Sequence, residues 1–85
     1  FGSLCIPHTW CHVVGVAVEL HLAAITPNMP YFEFPIAFPK SPLITDLLTP
    51  SFKISKEGSI EVPDRPGLGF ELNEDVIKEY RVTPY

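Results

Sequence analysis

The sequence predicts an α/β protein built around a strand–helix–strand unit, and three observations support this fold class. Residues 2–7 are typical of a short strand, which ends at Pro7 because proline cannot donate to a sheet ladder. Residues 11–25 are almost continuously apolar and too long for an ordinary strand, so we expect a helix. Residues 31–36 are aromatic and typical of a second strand. A crossover helix between two strands makes them parallel.

The predicted helix has clear end signals. Thr9 is a plausible N-cap, and Pro27 with Asn28 and Pro30 ends the helix. The helix is apolar on nearly all sides, which is typical of a helix buried on most sides. Parallel strands are also normally covered on both faces. We therefore expect this unit to need neighbours that 85 residues do not supply.

The C-terminal half predicts smaller elements. We expect a short helical turn over residues 44–48, followed by a loop over residues 63–69 and a last helix that begins at Asn73. Glu74 and Lys78 are spaced as a favourable pair on that last helix. Between the helical turn and the loop, we expect a hairpin with its turn at residues 57 and 58. The residues that pair across it are Phe52 and Ile54 on one side, and Ile60 and Val62 on the other.

Composition excludes several classes of protein. At 9.5 kDa the chain allows one small domain, and a net charge of −4 removes the electrostatic footprint of nucleic-acid binding. Two cysteines are too few for a disulfide-rich secreted scaffold. No apolar run reaches the roughly 18 residues that span a bilayer, and no basic stretch precedes the apolar region as in a signal peptide. We expect a cytoplasmic protein with no membrane or nucleic-acid partner.

Two side chains are candidates for acid–base chemistry. His8 follows the first predicted strand, and in parallel α/β folds the carboxyl ends of strands face the ligand crevice. Histidine exchanges protons near neutral pH, so it suits proton transfer, although a turn histidine bonded to backbone is an alternative. Glu33 interrupts an aromatic strand, and is either a functional carboxyl group on a buried strand or a solvent-facing residue on an edge strand. On adjacent parallel strands, His8 and Glu33 would reach one crevice.

The other polar residues give weaker predictions of a functional site. A zinc site is conceivable from four ligand types in one short window, but the spacing fits no standard site. Those residues are Cys5, His8, Cys11 and His12. Glu19 and His21 are two apart on the helix and are interpreted as its thin polar side or a subunit contact. Trp10 is interpreted as a packing residue.

Four segments resemble, in order and spacing, the C-terminal part of the mandelate racemase/muconate lactonizing enzyme family of the enolase superfamily. They are residues 6–10 (Ile-Pro-His-Thr-Trp), 20–24 (Leu-His-Leu-Ala-Ala), 27–34 (Pro-Asn-Met-Pro-Tyr-Phe-Glu-Phe) and 62–72 (Val-Pro-Asp-Arg-Pro-Gly-Leu-Gly-Phe-Glu-Leu). The Pro-Gly-Leu-Gly tail is the most specific of these. Family members are several times longer, so the resemblance implies a fragment.

The resemblance implies an architecture. Residues 1–50 would be the last two strands of a modified TIM (β/α)7β barrel with their connecting helix. Residues 51–85 would be the C-terminal segment that returns to an α+β capping domain. The full-length protein would be a homo-oligomer.

The resemblance also implies a chemistry. His8 matches a general base or acid that removes a proton α to a carboxylate or protonates a leaving hydroxyl. Glu33 matches the residue that hydrogen-bonds the developing enediolate. A Mg²⁺ ion would stabilise that charge, with its ligands upstream and no metal ligand in this fragment. The segment around Thr9–His12 favours a sugar-acid dehydratase over a racemase or epimerase, without identifying the substrate or its binding residues. The fragment alone would be inactive.

The residues also leave open a non-enzymatic hypothesis. The 85 residues could form a stand-alone interaction or zinc-binding module with no catalytic role. Stoichiometric zinc in the purified chain would favour that hypothesis.

Overall fold

The computed structural model describes residues 1–10, 12–34 and 41–83 of the chain. Its regular elements in chain order are α1 (Val13–Ile25), α2 (Pro42–Thr45), β1 (Leu48–Thr49), β2 (Glu71–Leu72) and α3 (Glu74–Tyr80). None of the helices in these described stretches is long and apolar enough to cross a membrane.

Helix α1 confirms the predicted helix, but its start differs from the prediction. His12, not Thr9, occupies the N-cap position with extended backbone, and its side chain makes no capping hydrogen bond. The helix ends at Thr26, one residue before Pro27. The Thr26 hydroxyl donates to the carbonyl oxygen of Leu22 at 2.7 Å, which satisfies one of the free carbonyls of the last turn.

The two polar residues of α1 do not form a thin polar side, and the alternative of a subunit contact stays a prediction. Glu19 is only 8% exposed, and its Oε2 has no hydrogen-bond partner among the described residues. Val18, Leu22 and Ile25 are exposed instead. The helix therefore buries a carboxyl group while it leaves apolar side chains in solvent.

Neither predicted strand is a regular strand over the described residues, and the backbone bond found here joins the first segment to Asn28, in the turn that precedes the second. The backbone N–H of Cys5 donates to the carbonyl oxygen of Asn28 at 2.8 Å, and the Asn28 side chain donates to Ser3 O at 3.1 Å. A parallel ladder is normally supported by strands on both sides. Among the described residues the pairing between the two segments is sparse. Residues 35 and 36 of the second predicted strand lie outside the described residues.

The C-terminal half confirms the hairpin and changes its surroundings. Ile54 and Ile60 form an antiparallel bridge, and Gly58 makes the turn with a φ of +79°. The predicted helical turn over residues 44–48 is shifted: α2 ends at Thr45, and Leu48 lies in β1 instead. Strand β1 pairs antiparallel with β2, with Leu48 opposite Leu72.

The core joins both halves of the chain. Its buried members are Val13, Ala17, Leu47, Leu48 and Val76. Fully burying an aliphatic side chain of this size contributes roughly 1.5–3 kcal/mol, so contacts between α1, β1 and α3 hold the C-terminal half against the helix.

Helix α3 begins as predicted and carries a different ion pair. The Asn73 side chain accepts from the Asp75 backbone N–H at 3.1 Å, which confirms the N-cap. Lys78 lies 3.7 Å from Asp75 rather than pairing with Glu74. All three side chains are exposed, so this pair contributes little to stability.

Candidate active site

His8 and Glu33 contact each other directly. His8 Nδ1 lies 2.5 Å from Glu33 Oε2, and the two side chains are 66% and 50% exposed. The structure thus brings the two predicted site residues together, while their shared crevice and their roles stay predictions. Of the two alternatives for Glu33, the structure shows the solvent-exposed side chain. Its carboxyl group contacts the imidazole of His8.

The contact follows from the parallel course of the two extended segments. Ser3 meets Asn28 and His8 meets Glu33, and both contacts span 25 residues along the chain. Two side-chain contacts with the same offset indicate that the two segments run in the same direction. Helix α1 between them returns the chain to the starting edge, as a crossover helix does. The pairing of His8 with Glu33 therefore follows from the shared direction of the two segments.

Aromatic packing holds the Glu33 segment in place. Phe34 contacts Phe52 edge-on with ring centroids 5.6 Å apart, and Phe52 contacts Phe70 at 4.7 Å. Phe52 and Phe70 in turn pack against the core. Because side chains alternate along an extended segment, the inward Phe34 turns its neighbour Glu33 outward.

The pair can move a proton. A carboxylate bound to one ring nitrogen fixes the imidazole orientation and its tautomer, and leaves the other nitrogen for substrate. In His8 the engaged nitrogen is Nδ1, so Nε2 is the nitrogen that would exchange protons.

Trp10 lies against the same imidazole. The indole and the His8 ring are stacked, with centroids 6.0 Å apart and planes at 20°. Trp10 is also 73% exposed, so it is not the packing residue that the sequence suggested. One signal could have found this neighbour: residues two apart on an extended segment lie on one face, which places Trp10 beside His8.

His21 does not belong to a thin polar side of α1 either, because its ring contacts the C-terminal segment. Its Nε2 lies 2.8 Å from the carbonyl oxygen of Leu68, within the Pro-Gly-Leu-Gly turn. The contact is half-buried and joins residues 47 apart in sequence, which no local pattern indicates. His21 therefore ties α1 to the C-terminal segment and does not belong to the His8 site.

The described residues do not form a metal site. No group of three or more His, Cys, Asp or Glu side chains converges within residues 1–10, 12–34 and 41–83. Cys11, one of the four residues of the zinc hypothesis, lies outside the described residues. That hypothesis stays a prediction.

A cavity of about 400 Å³ lies near the pair but does not include it. Its apolar wall includes Phe32, Phe34 and Ile60, and its polar wall includes Glu57 and Ser59. Neither His8 nor Glu33 lines it.

Three characterised proteins are similar to the chain. D-gluconate dehydratase of Thermoproteus tenax is 38% identical over 72 residues, which cover 84% of this chain and 14% of that protein. Arabinonate dehydratase of Saccharolobus solfataricus is 34% identical over 80 residues, covering 94% and 20%. D-galactarolactone cycloisomerase of Agrobacterium fabrum is 32% identical over 89 residues, covering 95% and 23%. The chain thus spans less than a quarter of each relative.

The family comparison covers most of the chain. The family described as enolase C-terminal domain-like matches residues 1–76, a stretch that contains His8, Glu33 and the Pro-Gly-Leu-Gly turn. No solved structure matches the chain significantly. The resemblance drawn from the sequence is confirmed: the chain belongs to the enolase C-terminal domain-like family of the enolase superfamily.

Proposed function

We propose that this chain is the C-terminal part of a longer acid-sugar dehydratase, which removes a proton α to a carboxylate and then expels water. Two of the similar proteins are named as dehydratases of gluconate and arabinonate, which supports this reaction class. The single observation that carries the proposal is the contact between His8 and Glu33, because it supplies an oriented proton acceptor.

The dimensions of the chain support its place in a larger protein. It exposes 6813 Å² of surface, whereas a compact protein of its mass exposes about 5,000 Å². Its radius of gyration is 14.3 Å, against about 12 Å for a compact domain of this length. The excess surface includes the outer face of α1. In the proposed barrel, neighbouring strands and helices cover that face.

His8 is the proposed base and acid. Its Nε2 takes the proton from the carbon next to the substrate carboxylate while Glu33 holds Nδ1. The same Nε2 then gives the proton to the departing hydroxyl, which leaves as water and returns His8 to its starting state. The resulting enol becomes a 2-oxo acid, so protons balance without an external acid or base.

Glu33 is the proposed electrophilic partner. Once the Nδ1 proton of His8 has passed to it, the Glu33 carboxyl group donates a hydrogen bond to the negative charge that develops on the substrate carboxylate oxygen. Such placed donors are commonly the largest contribution to catalysis of this kind. Its contact with His8 supports a shared proton that either residue can hold at different stages.

Magnesium remains a proposal for the longer protein. The described residues alone do not fit a divalent cation, since no three ligating side chains converge among them. The steps assigned to His8 and Glu33 do not depend on that ion. When bound by residues elsewhere in the longer protein, it would stabilise the enediolate charge.

An isomerase is the second candidate, because one similar protein is named as a cycloisomerase. The same first proton removal would serve a racemase, an epimerase or a cycloisomerase. The product distinguishes the two classes: a dehydratase releases a 2-oxo acid, whereas an isomerase conserves the mass of its substrate.

The test is His8→Asn in the longer protein, assayed with D-gluconate and D-arabinonate for 2-oxo acid formation. We expect turnover to fall at least 100-fold while magnesium binding is retained, because only the proton acceptor is lost. His12→Asn is the matched control and should retain turnover. Unchanged turnover in His8→Asn would reject the role. Equal loss in both variants, together with stoichiometric zinc, would favour the zinc module.

A further inference from the structure

We infer that Trp10 is a positioning residue for His8, holding the plane of the imidazole so that Nε2 faces the substrate. The inference rests on the proposed function and adds a residue to its site. It starts from the stacked contact between the two rings, 6.0 Å apart at 20°.

The exposure of Trp10 argues against a role in the core. A large aromatic side chain stabilises a fold by leaving water, yet Trp10 remains 73% exposed. It is also not among the side chains that pack on the core cluster. The stack on the His8 imidazole is the contact from which the role of Trp10 is inferred.

The stack supplies a constraint that the carboxyl group cannot. The hydrogen bond from Nδ1 to Glu33 fixes one point of the ring, but the ring can still turn about that bond. A flat indole lying against the ring face removes this rotation. Together Glu33 and Trp10 fix both the position and the plane of the imidazole, and hence the direction of Nε2.

The exposure of His8 makes this constraint necessary. With 66% of its side chain in solvent, the surrounding protein leaves the imidazole free to change rotamer. Proton transfer needs the donor and acceptor in a defined geometry, and small misplacements lower the rate by up to about 100-fold. The rigid indole of Trp10 restricts movement of the His8 ring out of the plane of its hydrogen bond.

The test compares Trp10→Ala and Trp10→Phe in the longer protein. We expect kcat to fall about 10- to 100-fold in Trp10→Ala with KM changed less than about twofold, since orientation is lost and binding is not. Trp10→Phe keeps a flat ring and should recover most of kcat. Equal kcat in Trp10→Ala and wild type would overturn the inference, as would a Phe variant as slow as the Ala variant.

A second measurement tests the contact between Trp10 and His8 without measuring enzyme activity. Diethyl pyrocarbonate modifies accessible imidazoles, and peptide mass spectrometry reports the rate at each histidine. We expect His8 to react several-fold faster in Trp10→Ala than in wild type or Trp10→Phe, while His21 reacts equally in all three. An unchanged rate of His8 modification in Trp10→Ala would overturn the inference that Trp10 holds the His8 ring. Loss of activity in His8→Asn with normal kcat in Trp10→Ala would reject only the role of Trp10, and the proposed function would stand.

Discussion

His21 Nε2 lies 2.8 Å from the carbonyl oxygen of Leu68, so a helix side chain binds the backbone of the Pro-Gly-Leu-Gly turn. The same helix connects the two segments that carry His8 and Glu33. The turn leads into Phe70, which packs against Phe52 beneath Phe34. The C-terminal segment is thereby connected to the site from two directions, through α1 and through the aromatic side chains.

Removal of the His21 contact should loosen the C-terminal segment. We expect His21→Ala to lower the free energy of unfolding by about 1–3 kcal/mol, because the half-buried carbonyl of Leu68 loses its donor. His21→Gln offers an amide donor and should lose less. Urea denaturation of the longer protein measures both. Equal stability in wild type and His21→Ala would show that the hydrogen bond contributes nothing to the fold.

The two glycines of the turn should respond differently to alanine. Both have positive φ, +64° at Gly67 and +76° at Gly69, so each substitution carries a backbone cost of about 1–2 kcal/mol. A Cβ at Gly67 meets open space, whereas one at Gly69 would lie 2.4 Å from the Cβ of Pro63. We expect Gly69→Ala to lose about 1–3 kcal/mol more than Gly67→Ala from this overlap. Equal midpoints of denaturation would contradict the close approach to Pro63.

Glu33 should tolerate an amide better than an alanine. Glu33→Gln keeps a hydrogen-bond donor for the developing charge and an oxygen for His8 Nδ1, but it loses the negative charge and the acidic proton. We expect Glu33→Ala to lower kcat by about 100- to 1,000-fold and Glu33→Gln to lower it less. Steady-state kinetics on the longer protein gives both values. A Glu33→Ala variant with wild-type kcat would remove Glu33 from the mechanism.

The 85-residue chain alone should be catalytically silent and poorly soluble. Val18, Leu22 and Ile25 expose apolar surface on α1, and contiguous apolar surface of this kind promotes association. Analytical ultracentrifugation over a range of concentrations should show self-association, and the dehydratase assay should show no 2-oxo acid. A monodisperse monomer with cooperative thermal unfolding would contradict the expectation.

Local signals in the sequence predicted much of the fold. Helix α1, the bridge between Ile54 and Ile60 and the Asn73 cap each depend on residues close in sequence. The pairing of Leu48 with Leu72 was missed because each strand has two residues, too few for an alternation pattern. Burial of Glu19 was missed because the helix pattern shows where polar residues lie, not which side meets the core.

The sequence predicted the part of the site that depends on the two segments running in the same direction. Parallel segments joined by a crossover bring His8 and Glu33 to one edge, and a direct contact is what the structure has. The stack of Trp10 was missed because the predicted strand ended at Pro7 and the following residues were assigned to the start of the helix. In the structure α1 begins only at Val13, so Trp10 lies before the helix rather than at its start.

The shared direction of the two segments has a consequence for synthesis. In the proposed placement, both members of the proton-transfer pair emerge from the ribosome after every upstream strand of the barrel. Upstream domains fold as units during translation, before these segments exist. A nascent chain released early would then carry neither His8 nor Glu33, and would be inert rather than partly active.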